Sequence, residues 1–173
     1  MSKARNIILL TAAFVVLGVA LRTLISSPVN AASGPLPFHA VLQGNANPFP
    51  IDPCTLGNHE TASGTALHLG KFTWTSDEVA QFLSCPPPGP AIAVTGHFTI
   101  VAANGDEIHG TYQTSGTFDP VNGVSVSGGY SLVSGTGRFS NVTGSGIIKA
   151  QGAATPPFDV VGSLDGTISY PRQ

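Results

Sequence analysis

From Ile92 to Tyr170 the chain alternates with a period of two residues. Ile92, Val94, Gly96, Phe98, Ile100 and Ala102 hold the even positions, against Thr95, His97 and Thr99. The same parity carries Ile108, Gly110, Tyr112 and Phe118 against Glu107, His109, Thr111 and Gln113, then Val124, Val126, Tyr130 and Leu132 against Ser125, Ser127 and Ser131. It closes with Phe158, Val160, Leu164, Ile168 and Tyr170 against Asp159, Ser163, Asp165 and Thr167. Side chains of a strand point alternately to its two faces, so this is the pattern of strands with one buried and one polar face. No helical period competes with it in this half.

The link at Ala103-Asn104-Gly105 can be read more finely. A two-residue Asn-Gly turn would pair Ile100 with His109 and place them on one face, against the alternation. A three-residue loop with Gly105 left-handed pairs Ile100 with Ile108, Phe98 with Gly110 and Gly96 with Tyr112. Each aromatic then covers the bare backbone of a glycine. If the link from Asp119 to Gly123 keeps parity, Tyr112 faces Tyr130.

The first half is less regular. Phe38 to Gly44 reads as a strand. Leu67 and Leu69 are odd whereas Phe72 and Trp74 are even, which suggests a bulge at Gly70-Lys71. Thr75 with Glu78 three residues on forms a capping box, and Val79, Phe82 and Leu83 form one apolar face. These signals predict one short helix, ended by Pro86-Pro87-Pro88. About eight strands with short links and one helix favour an all-β fold, an antiparallel β-barrel, over a sandwich. Closure also removes the exposed edges of a sheet rich in Ser, Thr and Gly. Gly144, Gly146, Gly152, Gly162 and Gly166 share the interior parity, where they allow strong coiling and leave room.

Residues 1–31 read as a secretory signal peptide. Lys3 and Arg5 precede an uncharged run from Ile7 to Leu21, and Val29-Asn30-Ala31 offers a small-residue cleavage site. The run is short for a bilayer span, which needs about 20 residues; an uncleaved N-terminal anchor is the rival reading. Residues 32–173 then form a single barrel domain, secreted or periplasmic, with no transmembrane segment after cleavage. That part has four Lys and Arg against nine Asp and Glu, a net charge of −5. A basic footprint for a phosphate backbone is absent, which argues against nucleic acid as a partner. In an exported chain the two cysteines, Cys54 and Cys85, are most simply a disulfide.

Candidate chemistry is sparse. His97 and His109 are diagonal neighbours on the polar face, and two imidazoles without a third ligand make a poor zinc site. Cys54, His59 and Glu60 match no metal spacing, so no metal and no cofactor is expected. Asp106 and Glu107 point to opposite faces and read as turn chemistry. No nucleophile elbow and no phosphate loop occurs, and no catalytic residue can be assigned. Trp74, Phe98, Tyr112 and Tyr130 are the candidate lining of a ligand pocket, or ordinary core.

The stretch SGTGRFSNVTGSG, Ser134 to Gly146, resembles the glycine-rich signature of allene-oxide-cyclase-like and dirigent-like barrels. HLGKFTWTS and TIVAANGDEIHGTY also look like segments of exported bacterial proteins of that type. Ser134 stands where the pattern usually has a glycine. The resemblance implies an eight-stranded antiparallel barrel with a shaped, mainly apolar cavity, and no catalytic residue carries over. Within this stretch Gly135 and Gly137 allow a tight link, Phe139 drops inward as a plug, and Arg138 points outward to turn carbonyls or an Asp. Two functions follow as expectations. One is a barrel that holds a small apolar or aromatic ligand and guides its isomerisation or cyclisation; the other is a non-catalytic extracellular module with a filled interior. Nothing in the sequence fixes an oligomeric state.

Overall fold

In a β-strand the side-chain period of two decides which residues meet, and here it builds a closed wall. The computed structural model describes residues 34–85 and 89–171. The expected signal peptide and the Pro86-Pro87-Pro88 stop lie outside the described residues. Eight strands follow in order: β1 (Leu36–Asp52), β2 (Thr55–Ala66), β3 (Gly70–Phe82), β4 (Ala91–Ala102), β5 (Glu107–Asp119), β6 (Gly123–Gly135), β7 (Thr143–Gly152) and β8 (Asp159–Ser169). Each pairs antiparallel with the next, and β8 closes on β1.

Partners taken strand by strand give the stagger of the barrel. Ala40 leads through Leu164, Ile148, Gly128, Thr114, Val94, Ala80 and Leu56 to Pro50, which is ten residues further along β1. Such a stagger tilts the strands by roughly 35–45° from the barrel axis and leaves an interior that side chains must fill. Even-numbered residues look inward. Phe98, Ile100, Ile108, Tyr112, Tyr130, Leu132, Val160, Leu164 and Ile168 are all buried.

The hairpin between β4 and β5 has the expected register. Ile100 pairs with Ile108, Phe98 with Gly110 and Gly96 with Tyr112. Gly105 takes φ +87°, and its N–H donates to the Ala102 carbonyl at 2.9 Å. Tyr112 faces Tyr130 across the β5–β6 pair.

Three expectations are corrected. The short helix does not form: Thr75 to Phe82 is the second half of β3, paired with β2 on one side and β4 on the other. Ser76, Glu78, Ala80 and Phe82 turn inward, while Val79 stays 43% exposed, so the apolar residues do not form one helical face. Backbone pairing on both flanks outweighs a capping box that offers two local hydrogen bonds. The phase change after Leu69 is likewise no bulge. Leu67 to Leu69 are the turn of the β2–β3 hairpin, with His68 at φ +72° and Gly70 at φ +74°. The first strand also runs well past Gly44, to Asp52.

One end of the barrel is plugged. Gly137 to Phe139 form a single 3₁₀ turn between β6 and β7. Phe139 is fully buried there, edge-on to Tyr170 with ring centroids 5.1 Å apart. Gly137 has φ +54°, and a Cβ on it would overlap the Asp106 carboxylate at 1.8 Å. The missing side chain therefore admits Asp106, whose Oδ2 accepts the Arg138 backbone N–H at 3.3 Å and lies 3.5 Å from Arg138 Nε. The Arg138 guanidinium also sits 4.6 Å above the Phe139 ring. At the other end Cys54, after β1, and Cys85, after β3, form a disulfide with Cα atoms 5.7 Å apart. No helix among the described residues is long and apolar enough to cross a membrane.

The two members of the Arg-Phe pair are expected to differ in weight. Phe139→Ala empties a fully buried site and is expected to cost about 3–5 kcal/mol. Arg138→Ala loses a half-exposed ion pair and a cation–π contact, about 1 kcal/mol. Thermal melts of the two variants check this; an Arg138→Ala variant that melts like the parent would remove the residue's role in holding the turn.

Candidate functional site

The interior is filled over one half and hollow over the other. In the filled half, Trp74 stacks on Phe98 with ring centroids 4.4 Å apart and planes 13° from parallel. Phe98 lies over Gly110, where a Cβ would stand 2.2 Å from the ring. Leu132 and the Tyr130 hydroxyl cover Gly144 and Gly166 in the same way. Near the disulfide end no aromatic covers Gly152 and Gly162, and a cavity of about 330 Å³ opens there. Leu42, Val126, Ile148 and Val160 give it an apolar wall, and Phe82 and Phe118 meet edge-on near its rim, with centroids 5.9 Å apart.

The facing wall is polar. Asn58 and Glu60 come from β2, Glu78 from β3, Tyr112 and Thr114 from β5, and all five line the cavity. The register places Asn58, Glu78, Gly96 and Tyr112 in one row across four strands. Gly96 is the gap in that row. A Cβ there would lie 2.7 Å from the Tyr112 hydroxyl and 2.9 Å from the Glu78 Cβ. Its absence lets Tyr112 reach across β4 and donate its O–H to Glu78 Oε2. Asn58 Nδ2 donates to Glu78 Oε1 at 2.5 Å. Glu78 is thus held by two donors, one from β2 and one from β5 across β4.

Glu60 is placed differently. It is 8% exposed, one row deeper, between Ala46 of β1 and Ser76 of β3. Its carboxyl meets no hydrogen-bond donor among the described residues. Burial, and then the charge of Glu78, push its pKa up to about 8. At neutral pH it keeps its proton and can donate. The same two causes, in the same order, raise the Tyr112 hydroxyl above its usual range. Ser76 is occupied by Trp74, whose Nε1–H donates to Ser76 Oγ at 3.2 Å.

Of the sequence-derived candidates, Trp74 and Tyr112 line the cavity. Phe98 packs against Trp74 outside the lining, and Tyr130 turns edge-on to Phe38 in the filled half, 6.5 Å between centroids. Burial pushes the Tyr130 hydroxyl up to about 12, with a smaller contribution from Asp165. Asn58, Glu60, Glu78 and Thr114 were not among the candidates. Their signal is polar residues at even positions of β2, β3 and β5, readable once β2 and β3 are placed as strands.

The histidines lie on the outer face. His59 Nδ1 is 2.8 Å from Asp77 Oδ1, and His97 Nε2 is 3.5 Å from Asp77 Oδ2. Hydrogen bonding from His59, above all, lowers the Asp77 pKa. His109 hydrogen-bonds Thr99, its partner in the β4–β5 pair, with Nδ1 3.1 Å from Thr99 Oγ1. No group of three or more His, Cys, Asp and Glu able to hold a metal occurs among the described residues.

No family model and no curated protein matches the chain. Among solved structures it is similar to the pterocarpan synthase dirigent protein, with a TM-score of 0.47 and 12% identity over 85% of this chain and 96% of that one. At that identity the likeness is one of fold.

Glu60 makes stability depend on pH. Below its ordinary value of 4.5 the Glu60 carboxyl is neutral in both folded and unfolded chains. Between 4.5 and about 8 only the folded chain keeps the proton, so stability falls as pH rises, by up to about 1.4 kcal/mol per unit, and levels off above 8. Melting temperatures measured from pH 5 to pH 8 are expected to decline in the parent and to decline less in Glu60→Gln. Parallel curves for the two would show that Glu60 titrates normally.

Proposed function

We propose that this protein is an exported barrel that holds one small, mainly apolar or aromatic molecule in the cavity at its disulfide end. The observation that carries the reading is the cavity itself: about 330 Å³, apolar on one wall and polar on the other, with Trp74 and Tyr112 on its lining. That volume falls within the usual range of small-molecule sites, and a few converging polar groups on an apolar lining are their usual composition. Burial of the Glu60 carboxyl, Asn58 Oδ1 and Thr114 Oγ1 without partners has a free-energy cost, which a core built for stability alone would avoid.

An exported setting, secreted or periplasmic, belongs to the same reading. The N-terminal pattern of the sequence supports it, and so does a disulfide, which persists in oxidising compartments. Guidance of an isomerisation or cyclisation is its finer part: a closed, shaped cavity limits the conformations a flexible guest can take. The rival reading, a non-catalytic module with a filled barrel, accounts for the half packed around Phe98, Leu132 and Phe139 but not for the hollow half.

Trp74 is the chain's one tryptophan and lines the cavity, so it reports on occupancy. Titration with a panel of phenolics, fatty alcohols and fatty acids is expected to give a saturable change in its emission with at least one member. Val126→Phe, which fills the apolar wall, is expected to abolish the response and leave the melting temperature equal or higher. A flat response across the whole panel would overturn the reading.

A further inference from the structure

The hydrogen-bonding capacity left over in the cavity is mostly accepting. Glu78 is an acceptor only, so the Asn58 amide must turn its nitrogen toward Glu78, and this leaves Asn58 Oδ1 pointing away. That oxygen is buried and without a partner, as is Thr114 Oγ1, and Thr114 is 7% exposed. Both line the cavity, as does Glu60, whose carboxyl is likewise unpartnered. On this wall one N–H of Asn58 Nδ2 and the Tyr112 hydroxyl are already spent on Glu78, which leaves the Thr114 hydroxyl and the protonated Glu60 carboxyl as groups that can also donate. What remains is Asn58 Oδ1, the free lone pairs of Glu78, the Glu60 carboxyl and one hydroxyl.

Among the described residues no cation faces these acceptors. Lys149, the one Lys or Arg on the lining, is exposed and belongs to the outward parity of β7. A carboxylate guest driven to this wall would meet Glu78 without a counter-charge, at a cost that a low-dielectric site enlarges. A guest with an ammonium end meets the opposite situation. Three N–H donors can be shared among Asn58 Oδ1, Glu78 and Glu60, and the aromatic residues Trp74 and Tyr112 line the same cavity. The excess of acidic residues over basic ones in residues 32–173 also draws a cation toward the barrel.

We propose that the guest of this cavity is a primary amine bound as its ammonium, with an apolar or aromatic body against the Leu42, Val126 and Val160 wall, and that the site rejects carboxylates. The proposal rests on the ligand-holding reading above and deepens it. It has a proton balance. The titratable groups facing Glu60 are Glu78 of β3 and Tyr112 of β5; its direct strand neighbours are Ala46 of β1 and Ser76 of β3. In the empty site Glu60 holds its proton. An arriving ammonium offsets the charge of Glu78, Glu60 ionises, and its proton leaves to the buffer while the amine keeps its own.

Three probes of one shape test this: 4-phenylbutylamine, 4-phenylbutanol and 4-phenylbutanoate, followed by Trp74 emission and by calorimetry at pH 7 in two buffers of different ionisation enthalpy. The amine is expected to bind roughly tenfold or more tighter than the alcohol, and the butanoate weakest. Amine binding is expected to release up to about one proton, and alcohol binding none. In Glu60→Gln and Glu78→Gln the preference for amine over alcohol is expected to shrink, with alcohol affinity held as the control for a folded cavity. Saturable binding in which the alcohol or the butanoate equals or exceeds the amine overturns the ammonium assignment and leaves the ligand-holding reading standing. Absence of binding by all three overturns both.

Discussion

The structure depends on one repeated contact, a large inward side chain laid over a glycine on the neighbouring strand. Phe98 over Gly110, Tyr112 over Gly96 and Leu132 over Gly144 are instances of it. In a barrel of this stagger the interior is too narrow for large residues at every inward position, so large and bare positions must alternate around each layer. Where the alternation is complete, the barrel is solid. Where the bare positions Gly152 and Gly162 face no aromatic, it is hollow. Fold and cavity are therefore two outcomes of the same rule.

Gly96 extends that rule into chemistry. It leaves room for the Tyr112 ring and, in doing so, opens the path by which the phenol reaches Glu78. Burial, and after it the charge of Glu78, acts on the next carboxyl along, Glu60. The two acids of one wall thus differ in surroundings: Glu78 has two hydrogen-bond donors, and Glu60 has none among the described residues. The cavity is electrically lopsided: acceptors on β2 and β3, hydrocarbon on β6, β7 and β8.

The parts of this arrangement that could be read from the chain are those set by near neighbours. The loop at Ala103 to Gly105, the inward parity from Ile92 to Tyr170 and the pairing of Phe98 with Gly110 follow from local alternation and one turn, and the barrel bears them out. Phe139 and Arg138 were readable for the same reason: glycines on both sides leave few places for either. β3 was misread because Thr75 and Glu78 imitate a helix start within four residues, while the pairing that overrides them comes from other strands, β2 and β4. That error hid the cavity's polar wall. Taken as the third residue of a helix, Glu78 faces solvent; taken as an even position of a strand, it faces the lumen with Asn58 and Glu60 beside it.

The disulfide sits on one side of the opening. It ties the turn after β1 to the segment after β3, the flank from which Asn58, Glu60 and Glu78 descend. Across the opening, the links after β5 and β7 carry no covalent tie among the described residues. The disulfide, the only one among the described residues, therefore stands on the acidic flank of the rim, and the apolar flank is held by strand pairing and packing.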